Sequence, residues 1–350
     1  MESKPGPSHG RSPCFHAWLL RIKTDARTMI FAMTTRWNAG RHASGEGMIQ
    51  EILELGFDHV ELGYDTRVDL VPGVTAMVEQ GAVKVDSLHN FCPVPIGAGR
   101  GHPETFTFAH RDRRIREQAV RYTIKTIRFA AELGARVVVS HAGNVEMRNM
   151  TGGLLAMIEA NQRLTPRFEK GRYKLQERRE KRAPRHVNWL YESIEQLMPV
   201  LQETGIQLAL EILPTWESIP TEVEFEGLFK RFGSTHLRYW HDIGHAKIRE
   251  NLGFINMERW LERLQPHLAG MHLHDVHPPG RDHVMPPDGD IDFARFARFG
   301  QMDILRVIEP MSNTPQEVIR RGLEVLREAW AIYDSSPVAG DTHQHKEQKI

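Results

Sequence analysis

The chain has 350 residues, 40% apolar and 26% charged, and its 45 basic and 45 acidic residues leave no formal net charge at pH 7. Nothing in that balance marks a polyanion or membrane-surface binder, and the length suits a (β/α) barrel of roughly 250 residues with extensions. Two cysteines, Cys14 and Cys92, are too few for a disulfide framework and point to a reducing, cytoplasmic setting, and no run of ~18 apolar residues is present to span a membrane.

Residues 1–28 are rich in Ser, Pro, Gly and Arg, and the apolar patch at 17–20 is shorter than a signal-peptide core of ~7–15 residues. They read as a flexible extension, with the fold beginning at Met29. A strand is expected at 30–35. A helix follows at 46–55, with Met48, Ile49, Ile52 and Leu53 on one face and Gly56 as its stop. Strand 58–62, helix 70–80 and strand 83–89 come next, then a Pro/Gly loop. Helix 111–133 carries the stripe Ile115, Ala119, Tyr122, Ile127 and Ala130 and ends at Gly134. After strand 136–141 the rhythm breaks. Residues 148–187 hold 11 Lys/Arg against 4 Asp/Glu, and read as an irregular basic insertion. Helix 188–204, strand 206–211, helix 223–232, strand 237–242, helix 257–264, strand 268–275, helix 291–299, strand 303–309 and helix 315–332 complete the series. Residues 334–350 form a polar tail.

Eight strands alternating with helices predict a single α/β domain over 29–333, a closed (β/α)8 TIM barrel. No Gly-x-Gly-x-x-Gly follows the first strand, which disfavours a dinucleotide-binding sheet. In such a barrel the chemistry sits at the C-terminal ends of the strands. Those ends carry His89, His141, Glu211, Asp242, His272 with His274, and Glu309, with His245 and His283 in the loops that follow. Val139 and His141, Ala209 and Glu211, and Val307 and Glu309 each share a strand face, small or branched below and polar at the rim. His241 is out of phase with Asp242 and reads as structural. Of His272 and His274, one suffices as a ligand, leaving the other for substrate or for a carboxylate such as Asp275. Carboxylates and imidazoles without cysteine suit Mn²⁺, Zn²⁺, Co²⁺ or Fe²⁺. Glu211 and Glu309 can each bind a metal with one oxygen and move a proton with the other, as enolisation of a sugar requires.

Leu210-Glu211, Asp242-Ile243-Gly244-His245, Met271-His272-Leu273-His274-Asp275, Pro287-Asp288-Gly289-Asp290-Ile291-Asp292 and Ile308-Glu309-Pro310 resemble the motifs of the xylose-isomerase-like barrels. That superfamily includes sugar-phosphate isomerases and epimerases, ketose 3-epimerases, inosose dehydratases and endonuclease IV-type apurinic endonucleases. The resemblance spans residues 29–331. It implies a metal site on Glu211, Asp242, His272 and Glu309, and a substrate or further-metal role for His245. It also implies a substrate-binding Arg281. The endonuclease branch implies further ligands at His89, His141 and His283, but Arg281 stands where that branch has an aspartate.

The expected function is therefore a divalent-metal-dependent isomerase or epimerase acting on a sugar or sugar phosphate through a metal-stabilised enediolate, with Glu211 and Glu309 as catalytic groups. A lyase or dehydratase on a keto-sugar or inosose is the nearest alternative. An abasic-site phosphodiesterase and a non-catalytic binding subunit are the others. The expected partner is a small sugar. Nucleic acid is disfavoured by the neutral charge, and a homo-oligomer is left open.

Overall fold

The expected strands form, and they close on one another. In the computed structural model, which describes residues 29–233 and 235–334, eight short strands pair in parallel: β1 (Ala32–Thr34), β2 (His59–Leu62), β3 (Lys84–His89), β4 (Val137–Ser140), β5 (Gln207–Glu211), β6 (Leu237–Asp242), β7 (Leu268–Leu273) and, after a two-stranded hairpin of β8 (Asp275–His277) and β9 (Arg281–Val284), β10 (Leu305–Ile308). Around the closed barrel their order is β1-β10-β7-β6-β5-β4-β3-β2. Cys14, the 1–28 extension and tail positions 335–350 lie outside the described residues.

Alternation along the strands builds the barrel's interior. Ala32, Val137, Val139, Ala209, Trp240, Ala269, Leu305 and Val307 form one buried cluster. Val139, Ala209, Trp240 and Val307 each stand two residues before His141, Glu211, Asp242 and Glu309, so the polar side chains rise from the same face. Trp240 is the largest group of that layer. A Cβ on Gly270 would run into its ring, which explains the glycine in the middle of β7.

The helices are α1 (Gly45–Glu54), α2 (Val71–Glu79), α3 (Arg113–Glu132), α4 (Thr151–Glu159), α5 (Pro166–Thr204), α6 (Glu222–Phe232), α7 (Ile243–Asn251), α8 (Met257–Leu264) and α9 (Gln316–Asp334). Three expectations are corrected. The basic segment 148–187 is not irregular: it supplies α4 and more than half of the 39-residue α5. Its Lys, Arg, Glu, Gln and Leu are strong helix formers, Thr165 caps α5 with Pro166 in its first turn, and Gly205 closes it in the left-handed conformation. Pro184 and Pro199 lie inside α5 without ending it. The residues after β6 are not a loop but the first turn of α7. The expected helix at 291–299 is a 3₁₀ segment, Phe293–Gln301.

α5 also braces the loop that follows β5. Arg179 forks onto both oxygens of Glu224 at 2.8 Å and donates to the carbonyls of Trp216 and Ser218 at 2.8 Å each. Glu224 in turn accepts from the Thr221 amide as half of the capping box of α6. The Arg179 side chain is only 4% exposed, so Arg179→Met should strand a largely buried carboxylate and two carbonyls. The expected cost is about 3–5 kcal/mol, read from urea denaturation. Lys181→Met, which removes an exposed pair with Glu177 on the same helix, should leave the midpoint in place.

Candidate metal centre

Glu211 is the hub of the strand ends. Its Oε2 lies 3.1 Å from His89 Nε2 and 3.2 Å from His141 Nε2. Its Oε1 lies 3.2 Å from His272 Nδ1 and 3.4 Å from His245 Nδ1. His272 Nδ1 is also 3.1 Å from Glu309 Oε2 and 3.7 Å from Asp242 Oδ2. Asp242 caps α7, accepting from the His245 amide at 2.7 Å, and meets His274 Nε2 at 3.0 Å. That cap explains the Asp-x-x-His spacing: an N-cap carboxylate and the residue three on are held together by the first helical turn. The glycine between them is required because a Cβ on Gly244 would overlap the His274 ring.

Among the described residues, three groups of side chains place their ligand atoms within 4.8 Å of one another: Glu211, Asp242, His272 and Glu309; His89, His141 and Glu211; His245, His274 and His283. The expected residues are thus brought together, with revisions. His274 joins the constellation alongside His272 rather than standing in for it. Its ring centre is 4.2 Å from that of His283. His283 comes from β9 of the hairpin, at a φ of 54°. His241 packs away from the site: the Tyr239 hydroxyl meets its Nδ1 at 2.6 Å, and burial pushes the ring down to about 3, so it is neutral. His274 meets Asp275 through the backbone, Nδ1 lying 3.3 Å from the Asp275 carbonyl, and not through the expected carboxylate. That carboxylate accepts from the amides of Val276, Gly289 and Ile291 and pins the 287–292 segment. Arg281 is exposed on β9 and does not line the pocket.

Electrostatics around the hub are dominated by opposed, buried charges. Burial pushes the Glu211 carboxyl up, but the imidazoles of His272 and His141 outweigh it and hold it well below the usual carboxylate range. Asp242 is likewise held low against its burial by His245 and His274. Burial works against a charge on the His141 and His245 rings. The carboxylates of Glu211 and Asp242 win, lifting His141 to about 9 and His245 to about 10. Arg36, 3.3 Å from Glu309, is paired with one of the carboxylates and is not itself a ligand. Buried carboxylates and imidazoles are the donor set a divalent cation takes. Glu211, Asp242, His272 and Glu309 fit that group.

Above the cluster lies a pocket of about 300 Å³. Ten of its lining residues were not anticipated, among them Arg36, Tyr64, His102, Glu104 and Asn144. Arg36 stands two residues past the end of β1, in a 3₁₀ turn, so a strand-end reading extended to β1 would have found it. Glu104 approaches His141 Nδ1 at 3.6 Å and accepts from Asn144 at 3.2 Å, a contact across loops that spacing does not show. Leu213, Pro214, Thr215 and Ser218, from the loop braced by Arg179, form one wall. Among the described residues, no helix is long and apolar enough to cross a membrane.

This architecture matches known proteins. A D-tagatose 3-epimerase-like protein superposes with a TM-score of 0.64, at 18% identity, over 87% of this chain and 98% of that one. A 3-keto-D-glucoside 4-epimerase from E. coli gives 0.62 at 18% identity, over 86% and 99%. A D-psicose 3-epimerase from Clostridium cellulolyticum H10, crystallised with D-tagatose, gives 0.57 at 12% identity, over 86% and 99%. At these identities the likeness is one of fold. An uncharacterised protein of Methanocaldococcus jannaschii is 21% identical over 260 residues, covering 74% of this chain and 83% of that one. The profile of one family matches residues 49–329, which takes in every strand end described above except that of β1. The chain belongs to the xylose isomerase-like TIM barrel family.

Proposed function

We propose that this chain is a divalent-metal-dependent isomerase or epimerase of a sugar or sugar phosphate. The observation that carries the reading is the buried set Glu211, Asp242, His272 and Glu309, with ligand atoms within 4.8 Å of one another beneath a pocket of about 300 Å³. These four residues would hold the metal. When bound, it supplies Lewis acidity that lowers the cost of taking a proton from the carbon between a hydroxyl and a carbonyl. Glu211 and Glu309 stand on strands three places apart around the barrel, so they approach from different sides, and one can remove the proton while the other returns it. Arg36, at Glu309, offers donors to a substrate oxygen. Leu213 and Pro214 give the wall from the loop after β5 an apolar part beside the hydroxyls of Thr215 and Ser218. The epimerase names of the structural neighbours agree with this chemistry.

The test is exchange in D₂O. With Mn²⁺ present, ketopentoses, ketohexoses and their phosphates are incubated with the protein and followed by NMR. Deuterium should enter at the carbon next to the carbonyl, and Glu309→Gln should stop it. A protein that binds divalent metal yet exchanges none of these substrates would overturn the proposal.

A second reading has its own support. Two of the three metal-competent groups share Glu211, and Asp282 brings a further carboxylate 3.7 Å from His245 Nε2, beside the third. Several metals together are suited to phosphodiester displacement. Against it, Arg36 is the single Lys or Arg among the described pocket-lining residues, little for a polyanion. Nicking of abasic-site DNA, with two or three metals per chain, would favour this reading over the first.

A further inference from the structure

We infer that Glu61 is the positioning residue that sets His272 for metal binding, with Ser87 holding Glu61 in place. The inference rests on the metal-site reading above. Glu61 lies on β2 and is fully buried. Its Oε1 is 3.1 Å from His272 Nε2, while its Oε2 accepts from the Ser87 hydroxyl at 2.8 Å. Ser87 is the register partner of Glu61 on β3, next to an irregularity between Val60 and Glu61. The other ring nitrogen of His272, Nδ1, faces Glu211 and Glu309. One edge of the imidazole therefore meets a carboxylate that can only accept, and the opposite edge meets the metal-competent group.

That arrangement determines the tautomer. Glu61 requires a proton on Nε2, which leaves the Nδ1 lone pair for a cation. The ring cannot escape by turning: the Trp240 ring sits edge-on at 5.1 Å and the His89 ring stacks nearly parallel at 5.8 Å. A carboxylate behind the ring also makes the imidazole a more basic ligand. Ser87 meets the second oxygen of Glu61, so that neither oxygen of the buried carboxylate is left bare.

Zn²⁺ affinity, measured by competition with a chelator on the full chain, tests this through three variants. Glu61→Ala is expected to bind about 10- to 100-fold more weakly. Glu61→Asp keeps the charge but withdraws it from Nε2, and should lose about 3- to 10-fold. Glu61→Gln keeps an acceptor within reach and should stay within about threefold of the parent. In the zinc-loaded protein, ¹⁵N spectra should show the His272 proton on Nε2, and Glu61→Ala should lose that signature. A role in charge alone would reverse the order of Asp and Gln. Parent-like affinity in Glu61→Asp, and in Glu61→Ala where it folds, overturns the inference while leaving the metal site standing. A parent protein that takes up no Zn²⁺ overturns the metal-site reading itself, and this inference with it.

Discussion

Glu211→Gln is expected to lower turnover by about 10³-fold and to strip the protein of tightly bound divalent metal. The size follows from what Glu211 touches. Its two oxygens face four imidazoles, those of His89, His141, His245 and His272, and it belongs to two of the three metal-competent groups. Lewis-acid assistance is worth several kcal/mol of transition-state stabilisation, and each 1.4 kcal/mol is about tenfold in rate. The amide also removes one of the two groups proposed to move the substrate proton. Metal content after dialysis, set beside turnover, checks both halves. Arg281→Ala is the control, because Arg281 is exposed and lies outside the pocket lining. A Glu211→Gln protein with full metal content and normal turnover would remove Glu211 from the site.

Metal uptake should release protons, and the number released should count the sites that fill. In the metal-free protein His245 is lifted to about 10 and His141 to about 9, against their burial, by Asp242 and Glu211. His272 is also raised well above the usual range, with Glu309 and Glu61 outweighing its burial. At neutral pH these rings carry protons, and a cation needs them without. Affinity should then climb about tenfold per pH unit for each proton displaced. Filling the central group alone displaces the His272 proton and gives a slope near one. Filling the other groups as well also displaces protons from His141, His245 and His274, whose ring Asp242 raises against its burial, and gives a steeper slope. Calorimetry in buffers of different ionisation enthalpy reads the number directly, and a pH-independent affinity would refute the proton–metal exchange.

The same shifts set the stability of the metal-free protein. Imidazoles with raised values contribute stability that is complete below the unfolded value near 6.5. It is lost as pH rises through about 9 and 10. Glu211 and Asp242, held low, contribute above the ordinary carboxylate range, and that contribution is lost as pH falls. Metal-free protein should therefore melt earlier at pH 10 than at pH 7, and metal should remove the difference.

The residues of this chain made the barrel and most of its metal-competent rim legible before any coordinates. Alternation has a period of two, so Ala209 with Glu211 and Val307 with Glu309 declare which face is core and which end is site, using neighbours only two positions away. Helix stops such as Gly134 and Gly205 are equally local. Charge composition misled at 148–187, where a run of solvated residues builds α4 and much of α5 rather than a loop. There propensity and the Thr165 cap outweigh the absence of a clear apolar stripe. What the tertiary structure alone decided depends on barrel closure and register. The contact of Glu61 with His272 spans 211 residues, that of Arg36 with Glu309 spans 273, and that of His89 with Glu211 spans 122. No local pattern encodes such pairings, because they exist only once eight strands close in one register. Closure also gave His274 and His283 a common group with His245, and it gave Glu61, an ordinary glutamate on a short strand, a place directly behind the histidine at the centre of the site.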